Sequence, residues 1–573
     1  MGYYKVRNIN NIKDLLDQSA KLFGSKAAFK IKQKETNTYK EISYTRLKEN
    51  VDSLGTAFIN LGLSGKKIAV IGENSYEWAI SYLATVCGCG IVVPLDKMLP
   101  DKEIESLVKR SKVSAIIFSD KYSQIMNNIK NLNLGVKYFI NMNKKDENFL
   151  YLYDLLDNGY KLLNSGNTLF LNASIDNDAM SVILFTSGTT STSKAVMLSH
   201  KNICSDIMST RMTVNVTPKD TALSFLPIHH TYECTLGFLT LIYSGGTIVF
   251  CDGLRHIVKN LQESHATIMV CVPLLFENMY QKIWHEIDKK GKRKLVEKAI
   301  KVSNFLRKYL KINITKLLFK DIYANFGGKI RLFISGAAAI DPSVAKGFDD
   351  FGITLLQGYG LTECSPLLVG CSDKHKAFGT CGYPIPNVEI KIIDKNDEGI
   401  GEVIAKGPNI MLGYYEDEEA TKEAFKDGWF YTGDLGYLND KGQLIITGRK
   451  KSVIVLKNGK NIFPEEIETL LNKDEFVKES FVFGKLDKDG DTEIWAKIVA
   501  NYELLKEKFG ELSDVQIKEK FQAIVKKINK EMPPYKYIRN FIVSSQELIK
   551  TTTQKIKRHE EIEKIEEEEK KNK

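Results

Sequence analysis

Apolar residues recur at helical spacing over 47–61 and 76–86, and short, mainly apolar runs fall at 68–71, 91–93, 115–118, 182–185, 222–225, 247–250, 268–271 and 330–334. Runs this short fit strands buried on both faces, and helices between them predict crossovers in a largely parallel sheet. A basic helical insertion follows over 284–326, with apolar positions at Leu295, Val296, Ile300, Phe305 and Leu306. It reads either as an amphipathic face that meets lipid or as a helical hairpin on the surface. After 369 the texture changes to shorter strands and turns, such as 388–393 followed by the polar turn 394–399, which predicts a small β-rich unit. Near 448 another α/β unit begins, with a helix at 464–471, a strand at 479–483 and a charged helix at 514–530. Residues 559–573 are almost wholly charged and predict a solvated or frayed helix.

At 573 residues the chain exceeds one core, and roughly 150 residues per domain predicts about three or four structural units. The composition, 43% hydrophobic and 27% charged, is that of a soluble globular protein. Two uncharged runs, 78–95 and 235–251, contain glycines and hydroxyls and read as buried helix followed by strand rather than as membrane spans. The net charge of +10 is a mild excess that suits polyanionic small molecules or a peripheral lipid surface. Basic residues form only short clusters such as 289–294, so nucleic acid is not an expected partner. Nine cysteines without a C-x-x-C pair predict buried, reduced thiols in a cytosolic protein and no metal site built on them. Residues 1–7 carry no apolar signal region.

The run 182–185 leads directly into Thr186, Ser187, Gly188, Thr189 and Thr190, then Ser191, Thr192, Ser193 and Lys194. A loop of this composition leaving a strand turns backbone N–H groups and hydroxyls toward one polyanion, with Lys194 adding a point charge: a candidate cradle for a triphosphate or pyrophosphate. It is not a nucleotide-kinase loop, because Ser193 precedes the lysine and Ala195 follows it. Taken alone, such a run is as readily a solvated loop. The strand at 331–335 runs into Gly336, Ala337, Ala338 and Ala339, where a flat ligand can approach the backbone, or where strand and helix simply pack tightly. In 357–363, Tyr359 offers a face for a base between Gly358 and Gly360, Thr362 offers a hydroxyl, and Glu363 offers a carboxylate for a phosphate-bridging magnesium ion; the plain alternative is a glycine turn with a capping Glu. Asp434 follows a glycine and suits two vicinal ribose hydroxyls, or is a turn acid. Arg449 and Lys451 sit at the suspected domain junction as phosphate or ribose ligand and hinge, or as a solvated basic turn. Lys555 lies in a basic segment where lysines are by default exposed.

In their order and spacing these motifs resemble those of the acyl-adenylate-forming enzymes, the superfamily of acyl-CoA synthetases, luciferases and peptide-synthetase adenylation domains, over 11–558. The stretches 224–233 and 454–466 and the long insertion are most similar to the long-chain fatty acyl-CoA synthetase branch. The resemblance implies an α/β protein: a large N-terminal AMP-binding and acyl-binding domain, 1–447, of two α/β subdomains plus a small β-rich subdomain. A small mobile α+β C-terminal domain, 448–558, and a charged tail, 559–573, would follow. It also implies two half-reactions, attack of a carboxylate on the ATP α-phosphate to give acyl-adenylate and pyrophosphate, then displacement of AMP by a thiol, usually that of CoA.

By position, Thr186, Ser187, Gly188, Thr189, Thr190 and Lys194 would hold the β- and γ-phosphates, with Thr189 and Glu363 ligating Mg2+. Thr362 would contact the α-phosphate, while Ala337, Ala338, Ala339, Tyr359 and Gly360 would frame adenine. Asp434 would hold the ribose with Arg449, and Lys555 would bridge carboxylate and α-phosphate, where charge on the transferring oxygens must be neutralised. The C-terminal domain would swing about Lys451 and bring Gly459 to the thiol tunnel. His229, His230 and Tyr232, with Gly336 and Gly358, would line the acyl channel, unless the aromatic three are core residues under the sheet.

The sequence departs from the family pattern at Ser191, Ser193 and Ala195, where glycine, proline and glycine are usual, and at Gln554, where glycine usually precedes the catalytic lysine. Altered nucleotide affinity is therefore expected. Retention of Lys194, Glu363, Asp434, Arg449 and Lys555 favours an active ligase making fatty acyl-CoA with ATP, Mg2+ and CoA, in the cytoplasm or peripherally at a membrane. The alternatives are transfer to the phosphopantetheine arm of an acyl carrier protein, an aryl acid as substrate, or a non-catalytic nucleotide-binding scaffold.

Overall fold

The computed structural model describes residues 2–33, 35–186, 193–456, 460–487, 491–551 and 555–571. They form two compact units, the first holding the described residues up to 390 together with 405–430, the second 391–404 and the chain from 431 onward.

Two large sheets organise the first unit. One contains, in spatial order, Tyr383–Pro384, Leu367–Gly370, Thr354–Gly360, Leu332–Ser335, Ile268–Cys271, Thr221–Ser224, Thr247–Phe250, Ala27–Lys32 and Tyr39–Ser43. The pairs from Thr354–Gly360 through to Ala27–Lys32 are parallel, whereas Leu367–Gly370 is antiparallel to both its neighbours and Tyr39–Ser43 is antiparallel to Ala27–Lys32. The other runs Gly413–Tyr414, Lys194–Ser199, Met180–Thr186, Ile91–Pro94, Lys67–Ile71, Ala115–Phe118, Tyr138–Asn141 and Leu150–Tyr151. Strands such as Ala115–Phe118 and Ile268–Cys271 are buried at every position, as expected of strands covered by helices on both faces. The chain beyond the Ser/Thr loop returns as Lys194–Ser199, antiparallel to Met180–Thr186, which the sequence pattern did not announce.

Both uncharged runs are buried helix followed by strand. The helix Tyr76–Ala84 ends in a kinked turn, Thr85–Cys89, where Cys87 and Gly88 leave helical φ/ψ, before Ile91–Pro94. A π-helical stretch, Tyr232–Leu239, precedes the helix Thr240–Ser244 and the strand Thr247–Phe250. Among the described residues no helix is long and apolar enough to cross a membrane.

In the second unit, residues 434–438 pair antiparallel with Leu444–Arg449. A separate sheet of Val477–Leu486, Thr492–Ala500 and Asn540–Ser544 buries one face against the helices Pro464–Leu471 and Asp514–Asn529, through Ile467, Phe521 and Val525. Phe481, Phe483 and Val499 on the other face meet Leu548 and Ile565. Ile565 belongs to the helix Arg558–Lys571, so the charged terminal segment is not solvated all round: Glu561 and Ile565, four residues apart and thus on one side, are both buried.

Candidate active site

The candidate phosphate loop begins and ends on paired strands. Thr186 faces Lys194 across the ladder, and its hydroxyl donates to the Lys194 carbonyl at 3.3 Å. Ser187, Gly188, Thr189 and Thr190 lie outside the described residues. Lys194 places its ammonium 4.6 Å from the centroid of the Tyr414 ring, and the Tyr414 hydroxyl donates to Glu363 Oε1 at 3.0 Å. One phenol therefore stations both the loop's cation and the candidate metal-binding carboxylate. Burial first, then the Glu363 charge, hold the Tyr414 hydroxyl above its usual pKa, so it remains a donor. Tyr414 is fixed by the short strand Gly413–Tyr414, which pairs with Lys194–Ser199, and by the Tyr415 N–H donating to the Ala195 carbonyl at 2.7 Å. Tyr414 carried no signal in the sequence, since it lies far from both partners and in no motif.

Two departures from the family pattern are accommodated locally. The Arg110 guanidinium donates to the Ser193 hydroxyl at 3.0 Å and to its carbonyl at 2.7 Å, fixing the loop exit where proline is usual. Ala195 pairs regularly opposite Phe185 and needs no glycine.

The turn carrying Thr362 and Glu363 is clamped through its backbone. Met411 N–H donates to the Glu363 carbonyl at 2.8 Å, and the Asn409 amide donates to the Cys364 and Leu367 carbonyls at 3.0 and 2.7 Å. Leu367 N–H donates to Asp206 Oδ1 at 3.2 Å, and full burial pushes that carboxyl well above the ordinary range. A Cβ at Gly360 would lie 1.8 Å from the Pro366 carbonyl oxygen, so only glycine fits there. Gly358 and the half-buried Tyr359 lie just before it in Thr354–Gly360. Ser335 and Gln357 are in register on adjacent parallel strands, so Gly336, Ala337, Ala338 and Ala339 leave the same sheet edge as Tyr359. Ala337 adopts φ +73, and Ala338 and Ala339 are exposed. Open α/β sheets bind ligands at such carboxyl ends of strands.

On the acyl side, His229 is buried with Nε2 3.6 Å from Asp96 Oδ1, and it lines a small, mostly apolar cavity with Tyr82, Leu184, Leu198 and Cys234. The half-buried His230 has its ring 6.1 Å from that of His229. Tyr232 spends its hydroxyl on the Cys271 and Ile334 carbonyls, at 3.1 and 3.0 Å, with its ring so close to Gly336 that a Cβ there would approach within 2.8 Å. Its position is thus fixed by the sheet. Sequence reasoning passed over the neighbouring Glu233, the one charged residue within 231–251. It sits on the π-helical stretch, and complete burial pushes its carboxyl up to about 8, so it is protonated at neutral pH. Single π-helical turns often mark functional sites.

The second unit holds the remaining candidates. Asp434, buried, faces Arg449 across the ladder and pairs with its Nε at 2.8 Å. Lys450 pairs with Glu402 at 2.7 Å, and Lys451 beside it is exposed; Gly459 lies outside the described residues. Lys555 is exposed on one arm of a hairpin closed by Thr551 N–H donating to the Lys555 carbonyl at 2.8 Å and by the bridge Lys550↔Ile556. Buried ion pairs anchor both flanks. Glu479 accepts from Leu548 N–H at 2.8 Å and from Lys550 Nζ at 2.7 Å. Glu561 accepts from Ile549 N–H at 2.8 Å and from Lys497 Nζ at 2.5 Å. Arg558 reaches Glu468 at 2.6 Å and Glu465 at 3.2 Å, carboxylates that hold its guanidinium charged despite burial.

Comparison with known proteins adds names to this geometry. The chain is 31% identical to long-chain-fatty-acid–CoA ligase 1 of Cavia porcellus over 79% of its own length and 69% of that protein. It is 29% identical to fatty acyl-CoA synthetase B of Dictyostelium discoideum over 84% and 76%. Its fold matches ATP-bound MatB from Rhodopseudomonas palustris with TM-score 0.74 at 23% identity, covering 96% of this chain and 98% of that one. The profile of the AMP-binding enzymes matches residues 16–415 and that of their C-terminal domain residues 451–569, and with most of the sequence so matched, the chain belongs to the AMP-binding enzyme family.

Proposed function

We propose that the chain joins a fatty acid to CoA in two steps, releasing pyrophosphate and then AMP. The observation that supports this most is the Lys194–Tyr414–Glu363 assembly, a phosphate-binding cation and a carboxylate held by one neutral hydroxyl. A carboxylate oxygen of the fatty acid attacks the α-phosphorus of ATP, and the bond to the pyrophosphate oxygen breaks. Lys194 draws the charge that grows on the departing phosphates, the Thr362 hydroxyl holds an α-phosphate oxygen, and Lys555 neutralises charge between acid and phosphate. Asp434, oriented by Arg449, takes the ribose hydroxyls. The half-buried Glu363, kept in place by Tyr414 with its second oxygen outside that hydrogen bond, fits a hard divalent cation, and Glu363 and Thr189 would hold Mg2+. When bound, the ion supplies further neutralisation of phosphate charge. The sulfur of CoA then attacks the acyl carbonyl carbon and AMP leaves, with Lys451 as the pivot between the two half-reactions and the Gly459 segment serving the thiol. The acyl chain occupies the apolar region behind His229 and His230. Each additional buried CH2 contributes roughly 0.8 kcal/mol, so depth there sets chain length. A peripheral contact with a membrane, where such acids partition, is part of this proposal.

The test is product analysis with acetate, octanoate, palmitate and benzoate, each offered CoA and an acyl carrier protein in competition. Palmitoyl-CoA as the main product is expected. Acyl-carrier-protein thioester or benzoyl-CoA as the main product would replace substrate or acceptor, and no thioester with any acid would leave a nucleotide-binding scaffold.

A further inference from the structure

The helix Arg293–Phe305 and its continuation Leu306–Leu310 turn one face inward. Val296, Ala299 and Ile300 lie against the first unit's core, Asn304 donates to Asp350 Oδ1 at 2.8 Å, and Arg307 reaches the Asp349 carbonyl at 2.8 Å and its carboxylate at 3.2 Å. The other face is apolar as well. Leu295, Val302, Phe305 and Tyr309 are 64%, 47%, 58% and 62% exposed, and their spacings of seven, three and four residues align them in one stripe. The chain just beyond adds Ile312 and Leu317, the latter 78% exposed. Large apolar side chains left in water together mark an interaction surface.

Charge singles out the same segment. Residues 289–320 carry twelve Lys and Arg against one Glu, a net +11, whereas the whole chain carries +10; everything else sums to −1. The basic excess is therefore gathered around the apolar stripe. Exposed Lys298, Lys301 and Lys308 lie within one turn of the stripe. Charge alone would suit nucleic acid, but Leu, Val, Phe and Ile side chains interleaved with the lysines match the interfacial helices that lie in lipid headgroups.

We infer that this face, 293–317, docks on the surface of an anionic bilayer, its apolar stripe entering the headgroup region and Lys298, Lys301 and Lys308 facing lipid phosphates. The inference deepens the membrane part of the function proposed above and rests on it only for its purpose, since docking brings the enzyme to the phase that holds its acid. The test is flotation of the full chain with vesicles of phosphatidylcholine, with and without phosphatidylglycerol. Binding only to the anionic vesicles is expected. Lys298→Gln with Lys301→Gln and Lys308→Gln lowers it roughly 100-fold, about fivefold per lysine. Phe305→Ser with Leu317→Ser removes the part that survives high salt. Equal binding to neutral vesicles, no binding, variants that float like the wild type, or displacement by a DNA duplex at low excess overturns the inference. Palmitate-dependent pyrophosphate release in detergent solution, run beside it, stays unchanged in these variants and reports their folding. Flotation without that activity defeats the catalytic reading alone, and activity without flotation defeats the docking surface alone.

Discussion

The two units fix their functional side chains by opposite means. In the first, Tyr414 stays a phenol behind Lys194 and Glu363, burial keeps Glu233 protonated and pushes the Asp206 carboxyl well above its ordinary range, and Arg110 brings a charge only at Ser193 on the loop exit. In the second, the Lys555 hairpin hangs from ionised pairs, Lys497–Glu561, Lys550–Glu479 and Arg558–Glu468, all deeply set. A region proposed to receive a polyanion gains from neutral supports beside Glu363, because further fixed anions would repel the ligand and further cations would compete for Glu363. A hairpin that presents one exposed lysine gains from buried charge pairs of exact geometry, whose directional bonds specify a conformation that apolar packing of the same volume leaves loose.

Perturbing each kind of support separates them. Lys497→Met leaves the buried Glu561 carboxylate without its counter-charge, which costs about 3–5 kcal/mol; Glu561→Leu added to it recovers most of the loss, as urea unfolding of both variants measures. Restored stability without restored adenylation is the expected pattern if the pair positions Lys555 and does not merely hold the unit together. In the first unit, Glu233 is protonated when folded up to about pH 8 but titrates near 4.5 when unfolded. The folded state thus binds more protons between those values, and stability falls as pH rises through that window, by up to about 1.4 kcal/mol per pH unit. Glu233→Gln removes that slope; a curve identical to the wild type contradicts a neutral Glu233. Tyr414→Phe keeps the ring under Lys194 but deletes the hydrogen bond to Glu363, worth about 1.5–3 kcal/mol, so kcat/KM at limiting magnesium falls at least about tenfold while saturating magnesium narrows the gap. Arg110→Ala frees Ser193 at about 0.5–1.5 kcal/mol, a few-fold rise in KM for ATP with kcat nearly unchanged.

Much of the scaffold was legible because its signals are local. The strands at 115–118, 247–250 and 268–271 coincide with the apolar runs, and all but Phe250 of their residues are buried. The return strand Lys194–Ser199 was not legible, since its pairing is decided by partners on both sides, one of them Gly413–Tyr414. Tyr414, Arg110 and Glu561 escaped for the same reason: each acts on a residue far away in sequence, and none has a residue type unusual for its surroundings. Glu233 left one trace, a lone acid in an uncharged run. The charge of 289–320 was countable from the start, but its meaning depended on which face of Arg293–Phe305 was already occupied by the core.

Separating the half-reactions decides whether the lysine hairpin serves adenylation. Palmitate-dependent pyrophosphate release from ATP, and conversion of preformed palmitoyl-adenylate with CoA, are each measured in the wild type and in Lys555→Ala. Loss of the first by ~100-fold or more with the second preserved is the predicted result. Equal loss of both, or no loss of either, would contradict it.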